Sequence, residues 1–251
     1  MSLSGRTVVV TGAGSGIGRA TCARLCRAGA RVGAIGRRKE PLLALRDDLS
    51  DEPGEVVVLP ADVGSAAEVE HAVRTLTDRC GPVSGVVNNA GLARFAPIEF
   101  SSPSDLDDMF AVHLRGPVNV LRACLPELRK HRGAVVNVSS VGGLLAMPNR
   151  SLYGATKAAV NSLTRSWARE LAPQVRVNAI LPGPVDTPMY DDLGLTGPQT
   201  QTLRADLLAS TPLERFGEPD EIARWVTLLL DDDTSGWVTG VLLPVDGGRT
   251  S

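Results

Sequence analysis

Tyr153 and Lys157 stand four residues apart in Tyr153-Gly154-Ala155-Thr156-Lys157, and Ser140 lies thirteen positions before the tyrosine, at the end of a valine-rich run. Four residues along a helix return to the same face. A phenol there could pass a proton to or from a reacting oxygen, and a serine hydroxyl could bond the same oxygen while charge develops on it. Free tyrosine titrates at about pH 10 and is a poor base at neutrality. A neighbouring ammonium favours the tyrosinate, and lowering the pKa by about three units takes about 4 kcal/mol of differential stabilisation. Tyr-x-x-x-Lys is common by chance and, alone, reads as readily as a structural pair. Ser140 at the mouth of a buried strand favours the catalytic reading. Ser139 is the neighbouring candidate, but strand alternation sends its side chain the other way.

A second constellation lies near the N-terminus. Thr11-Gly12-Ala13-Gly14-Ser15-Gly16-Ile17-Gly18 follows a valine run and opens a helical pattern. In that context the glycines permit a tight turn and close approach of backbone to a pyrophosphate, while the helix N-terminus supplies N–H donors and the positive dipole end. A dinucleotide is expected here. Where NAD-binding folds place an acid on the adenosine ribose, about twenty residues on, there is none between Gly18 and Glu40; the second strand ends Ile35-Gly36-Arg37-Arg38-Lys39. Gly36 leaves room, and the forked guanidinium of Arg37 suits a 2′-phosphate. Arg38 and Lys39 face the positive end of the next helix dipole, a conflict that a bound phosphate would remove. A solvated basic corner is the bland alternative. NADP(H) is the preferred cofactor, with NAD(H) also compatible.

The elements that must position these groups are legible as repeated strand and helix patterns. Continuous apolar runs at 7–10, 31–35, 55–59, 85–87, 134–138 and 175–180 suit strands covered on both faces. Helical patterns intervene at about 16–29, 39–51, 65–80, 105–130, 151–172 and 219–230, and a last strand is expected near 238–245. The fold class is therefore α/β, a doubly wound parallel sheet of Rossmann-like type. With no repeat or linker to divide it, 1–251 reads as a single domain. The Gly- and Pro-rich stretch from Thr187 to Arg215, with a helical piece near Leu203–Leu208, reads as a substrate lid.

A formal charge of −2, with 22% charged and 43% hydrophobic residues, gives no electrostatic reason to expect nucleic acid or an anionic membrane. No apolar run is long enough for a membrane helix, and Met1 to Arg6 lack the pattern of a secretory leader. Cys22, Cys26, Cys80 and Cys124 have no Cys-x-x-Cys spacing, and with only His71, His113 and His131 among them no metal cluster assembles. Cys22 and Cys26 share a helix face and read as core residues. His71 and His131 read as solvated. The expectation is a cytoplasmic protein with reduced thiols, no metal, no nucleic-acid partner and no membrane partner.

Nearly end to end, the chain resembles the short-chain dehydrogenase/reductase family. The matching pieces are the glycine turn, Asp62-Val63, Asn88-Asn89-Ala90-Gly91, Ser140, Tyr153 to Lys157, and Pro182-Gly183-Pro184-Val185-Asp186-Thr187. The resemblance implies hydride transfer between a nicotinamide and a carbonyl or alcohol, with Tyr153 as proton donor or acceptor, Ser140 as the second bond to the oxygen and Lys157 beside them. It implies that Asp62 and Val63 flank the adenine. Asn89, Ala90 and Gly91 would line the cofactor cleft, and Pro182, Gly183, Val185 and Thr187 would meet the nicotinamide end. Asn137 reads as structural, as does Asp246-Gly247-Gly248. His113 occupies a place where many members carry an asparagine that helps hold a water beside the lysine. A histidine could hold that water or join the proton relay; it could equally be a satisfied, partly buried residue. The family also implies a homotetramer.

The resulting expectation is an NADP(H)-dependent enzyme of ketones and secondary alcohols. The alternative is a 3-oxoacyl carrier-protein reductase, for which Arg94, Arg115, Arg129, Lys130 and Arg132 are candidate contacts to an acidic carrier. A catalytically silent cofactor-binding sensor is the competing class, and the intact Ser140, Tyr153 and Lys157 weigh against it. Leu144 to Arg150 and the lid are expected to shape specificity.

Overall fold

Alternate side chains of the first strand, Thr7–Thr11 (β1), pack on opposite faces of a sheet, and every residue of it is buried. Val8 and Val10 enter one apolar layer and Val9 the other. The same chain of cause runs through Arg31–Gly36 (β2), Glu55–Pro60 (β3), Val83–Asn88 (β4), Ala134–Val138 (β5), Arg176–Pro182 (β6) and Leu242–Val245 (β7). They form a seven-stranded sheet in the order β3-β2-β1-β4-β5-β6-β7, each neighbour parallel. The computed structural model describes residues 3–251.

The helices are α1 (Gly16–Arg27), α2 (Lys39–Asp48), α3 (Ala66–Cys80), α4 (Pro103–Phe110), α5 (Gly116–Lys130), α6 (Ser151–Leu171), α7 (Gly197–Ala209), α8 (Pro219–Leu230) and the short α9 (Asp232–Ser235). Residues of α1 and α8, such as Leu25, Ile222 and Val226, fill one face; those of α3 and α5, such as Leu76, Cys124 and Leu128, fill the other. All four cysteines are buried free thiols, with Cys22 and Cys26 together in the first layer. His71 and His131 are exposed. Among the described residues no helix is long and apolar enough to cross a membrane.

Elements depart from the sequence expectation, among them α7, which spans Gly197–Ala209 where a short helical piece near Leu203–Leu208 is expected. The helix expected over 105–130 is broken by a π-helical turn at Ala111–Arg115, with His113 buried inside it. The last strand begins at Leu242, because the chain before it turns through Gly240 at φ +77°. There Asn178 takes over from the ladder, donating to the Val238 carbonyl at 2.9 Å and accepting from the Val241 amide at 3.2 Å.

The lid contains a 3₁₀ segment, Pro188–Asp192, and α7. It closes over the carboxyl ends of the central strands, the edge where open α/β sheets place their ligands.

Candidate active site

Ser140 lies two residues past the end of β5, and its hydroxyl oxygen accepts from the Gly142 amide at 3.0 Å. A methyl group added at Gly142 would meet both Ser140 Oγ and Tyr153 Cε1 at 3.3 Å, so the serine and the tyrosine flank the same glycine. At Gly143 a methyl would lie 2.8 Å from the Lys157 backbone. The two glycines therefore let the loop after β5 lie directly against α6. Ser139 points the other way, as alternation requires, and donates to the Lys157 carbonyl at 3.1 Å. Asn137 is structural: it accepts from Asn88 and donates to Thr164, both at 2.9 Å, tying β4, β5 and α6 together.

Tyr153 is 8% exposed, held edge-on by Phe95 and His113 at centroid distances of 5.6 and 5.8 Å. Burial pushes its phenol above the ordinary range, while the Ser140 hydroxyl and the charge of Arg150 pull it down. Lys157 Nζ lies 5.8 Å from the Tyr153 ring centroid and donates to the Val138 carbonyl at 3.1 Å. Burial takes the Lys157 ammonium down to about 8. The sequence pattern places a cation beside the phenol, but it does not show that desolvation opposes ionisation of both groups.

Ser140, Tyr153 and Lys157 line an open cleft of about 860 Å³ with Ile17, Asn89, Gly91, Pro182, Gly183, Val185 and Thr187. A second cleft, of about 1060 Å³, is lined by Gly12, Gly14, Ser15, Gly36, Arg37, Arg38, Asp62, Val63, Ala90 and Gly91. Gly91 borders both. Gly16 and Gly18 line neither cleft. A methyl at Gly18 would lie 2.2 Å from the Gly12 carbonyl, so this glycine lets α1 pack on the turn, and Gly16 holds φ +51°.

The turn fits a dinucleotide. A methyl at Gly12 would lie 2.9 Å from Ala90. Helix α1 has no side-chain cap and no acid in its first turn, so its leading N–H donors are left for an anion. Thr11 accepts from the Asn89 and Ala90 amides at 3.0 and 2.9 Å, and Asn89 donates back to the Thr11 carbonyl at 3.0 Å. The floor between the clefts is thereby fixed to β1.

Residues 12–250 match the family model described as enoyl-(acyl carrier protein) reductase. The chain is 38% identical over 250 residues to a 3-oxoacyl-[acyl-carrier-protein] reductase of Thermotoga maritima, covering 99% of each. The crystal structure of a levodione reductase superimposes with a TM-score of 0.92 at 35% identity, covering 98% of each chain. A 3-ketoacyl-(acyl-carrier-protein) reductase from Brucella melitensis, complexed with NADH, gives 0.90 at 30% identity over the whole of both chains. The chain belongs to the short-chain dehydrogenase/reductase family. It is an NAD(P)-dependent oxidoreductase of the alcohol and ketone class.

Within this family member His113 takes a defined state. Nε2 accepts from the Leu92 amide at 3.2 Å, so the ring proton sits on Nδ1 and is donated to Thr156 Oγ1 at 2.9 Å. Thr156 in turn donates to the Tyr153 carbonyl at 2.8 Å. Burial and the Lys157 charge hold His113 well below its ordinary pKa. Both nitrogens are taken by protein, which favours the satisfied-histidine reading over a water-holding or relay role.

Three of the basic residues considered for a carrier protein stand at the wrong edge. Arg129, Lys130 and Arg132 precede the start of β5, at the end of the sheet opposite Ser140. Arg94 is paired with Asp192. Among the cleft residues without a specific sequence assignment are Arg150, which falls within the stretch expected to shape specificity, and Arg249, just past the C-terminal turn.

Proposed function

We propose that the chain is an NADP(H)-preferring reductase of ketones, acting also on the corresponding secondary alcohols, with Ser140, Tyr153 and Lys157 as its catalytic residues. The observation that carries this is the convergence of the three on one cleft, which meets the glycine-turn cleft at Gly91. The bound nicotinamide would supply or accept the hydride. Tyr153 would give its phenolic proton to the carbonyl oxygen. Ser140 Oγ already accepts from Gly142, which leaves its own proton for the same oxygen. Lys157 would stabilise the tyrosinate left behind, and the Val138 carbonyl fixes the ammonium in place. His113 would position the helix that carries Tyr153 rather than move protons.

The preference for NADP(H) is supported by exposed Arg37 and Arg38 beside Gly36 in the second cleft, with no ion-pair partner for either among the described residues. Gly12, Gly14, Ser15 and Ile17 would hold the pyrophosphate side. Asp62, Val63, Ala90 and Gly91 would take the adenosine end, and Asn89, Pro182, Gly183, Val185 and Thr187 the nicotinamide end.

A homotetramer is proposed as well, because Ala155, Ala158 and Ser162 form a small, exposed stripe along α6, suited to close helix packing. A monomeric mass in solution removes that proposal. The free thiols fit a reducing compartment, the cytoplasm.

NADPH oxidation over ketones, sugars and 3-oxoacyl thioesters tests the activity, with Tyr153→Phe as control. The variant should lose about 10²–10⁴-fold in kcat while still binding cofactor. Near-wild-type turnover would defeat the mechanism. A strong preference for NADH over NADPH would overturn the cofactor assignment.

A further inference from the structure

We propose that Arg150, assisted by Arg249, binds an anionic group of the substrate, so that the carbonyl compound reduced here carries a carboxylate, sulfonate or phosphate away from its reacting carbon. This rests on the ketone-reductase reading and assigns that reading its substrate class.

Both arginines line the cleft that holds Ser140 and Tyr153. Arg150 stands just before α6, three residues ahead of the tyrosine. Its guanidinium carbon lies 5.3 Å from the centroid of the Phe95 ring, and Phe95 packs edge-on against Tyr153 at 5.6 Å. The cation is therefore one aromatic ring removed from the group that handles the proton.

Neither arginine is neutralised. Among the described residues Arg150 has no carboxylate within ion-pair distance, and its one side-chain hydrogen bond runs to Met147 Sδ at 3.6 Å. Sulfur is a weak acceptor, so most of the five guanidinium donors have no partner from the protein. Arg249 donates to the Leu207 carbonyl at 3.3 Å and to Ser210 Oγ, both at the end of α7, and it too lacks a carboxylate. Other arginines around the lid are paired: Arg94 with Asp192, Arg204 with Asp186, Arg215 with Glu221. Among the described residues the carboxylate that acts on Arg150 is that of Asp206, and it forms no ion pair with it.

Three costs converge on Arg150. It is partly buried, it feels the like charge of Arg249, and it sits at the positive end of the 21-residue helix α6. An anion between the two guanidinium groups offsets all three, and a planar fork is the geometry that carboxylate, sulfonate and phosphate oxygens accept. The cofactor's own phosphates do not meet this need, since the glycine turn and Arg37 line the other cleft.

The test compares levulinate and its longer homologues with their methyl esters, and with the matching ketosulfonates and keto phosphate monoesters. Wild-type kcat/KM should favour the best anion over its neutral counterpart by at least about tenfold, as expected for a charge-assisted hydrogen bond. In Arg150→Met the ratio should fall towards one, with Arg150→Lys intermediate; Arg249→Met should show a smaller drop. Retained NADPH binding establishes that each variant is folded. In parallel, calorimetric titration of the protein saturated with NADP⁺ reads anion binding without turnover, and tighter binding of the acid that is lost in Arg150→Met supports the subsite. Esters reduced and bound as well as every anion overturn the anion subsite while leaving the reductase reading intact. Binding that depends on charge and on Arg150, without turnover of any carbonyl, would do the reverse.

Discussion

His113 Nδ1 and Thr156 Oγ1 are 2.9 Å apart, and the same hydroxyl is bonded to the carbonyl of Tyr153 at 2.8 Å. Through its other nitrogen the ring holds the Leu92 amide. One neutral histidine thus joins the loop after β4 to the helix that presents the proton donor. Asparagine at this position would have a shorter reach, and the π-helical turn at Ala111–Arg115 carries the imidazole inward.

The stability should therefore depend on pH through His113. Its folded pKa is held well below the ordinary value, so below about pH 6.5 the unfolded chain binds a proton that the folded one refuses. Stability is full above that pH and falls as the pH drops, by at most about 1.4 kcal/mol per unit. His113→Asn should remove this part of the slope in denaturant midpoints measured from about pH 7.5 to about pH 5. An unchanged slope in the variant would refute the locked neutral state.

Lys157 should trade stability for function. Its pKa falls to about 8 from 10.5, so the unfolded chain binds more protons between those values and stability rises with pH across that window. Below it the folded state carries a charge penalty of about 3 kcal/mol. Lys157→Met removes that penalty and forfeits the bond to Val138, worth about 1 kcal/mol net. Its melting temperature at neutral pH should equal or exceed that of the wild type, while kcat collapses. Wild-type kcat/KM should also decline above about pH 8 as the ammonium is lost. A marked drop in melting temperature would show that the buried charge is better solvated than its surroundings indicate.

The central strands were legible because their apolar runs are buried on both faces, and the glycine turn because it sits between a strand and a helix. Ser140, Tyr153 and Lys157 were legible because one helix turn and one strand end fix their relation. The π-helical turn was not, and the partners of the His113 ring buried within it, Leu92 and Thr156, meet it only in the folded chain. Arg150 and Arg249 are separated by nearly the whole C-terminal part of the chain, and only β6, the lid and the last turn bring them to one cleft. Gly142 and Gly143 carry no signal in the sequence, because their purpose requires knowing that α6 passes beside them.

Cofactor choice should be reversible at Gly36. The nearest atoms a methyl there would meet belong to Leu42, at 3.6 Å or more, an ordinary contact. The end of β2 can therefore accept a side chain. Gly36→Asp would place a carboxylate where a ribose hydroxyl binds and a 2′-phosphate is repelled. The ratio of kcat/KM for NADPH to that for NADH should fall by at least about tenfold, the equivalent of about 1.4 kcal/mol. A ratio unmoved by this change would mean that Arg37 and Arg38 do not face the adenosine ribose.

The C-terminal turn should prove to be part of the substrate cleft. Gly183 donates its amide to the Val245 carbonyl at 3.1 Å, and a methyl on it would come within 2.7 Å of the Asp246 backbone. Asp246 folds the tail back on itself, accepting from the Gly248 amide at 3.0 Å, the Thr250 amide at 2.9 Å and the Thr250 hydroxyl at 2.7 Å. Arg249 lies inside that loop. Gly183→Ala must push the turn away from β6, and overpacking of this kind costs about 1–3 kcal/mol. For a chain of this length that lowers the melting temperature by about 2–12 °C. The displaced tail should also reduce the preference for anionic over neutral ketones, read as the ratio of their kcat/KM values. Because Ser140 and Tyr153 are carried by other elements, the loss should be greater for the charged substrate than for its ester. Equal losses for both would mean that the turn supports the cofactor end of the cleft and not Arg249.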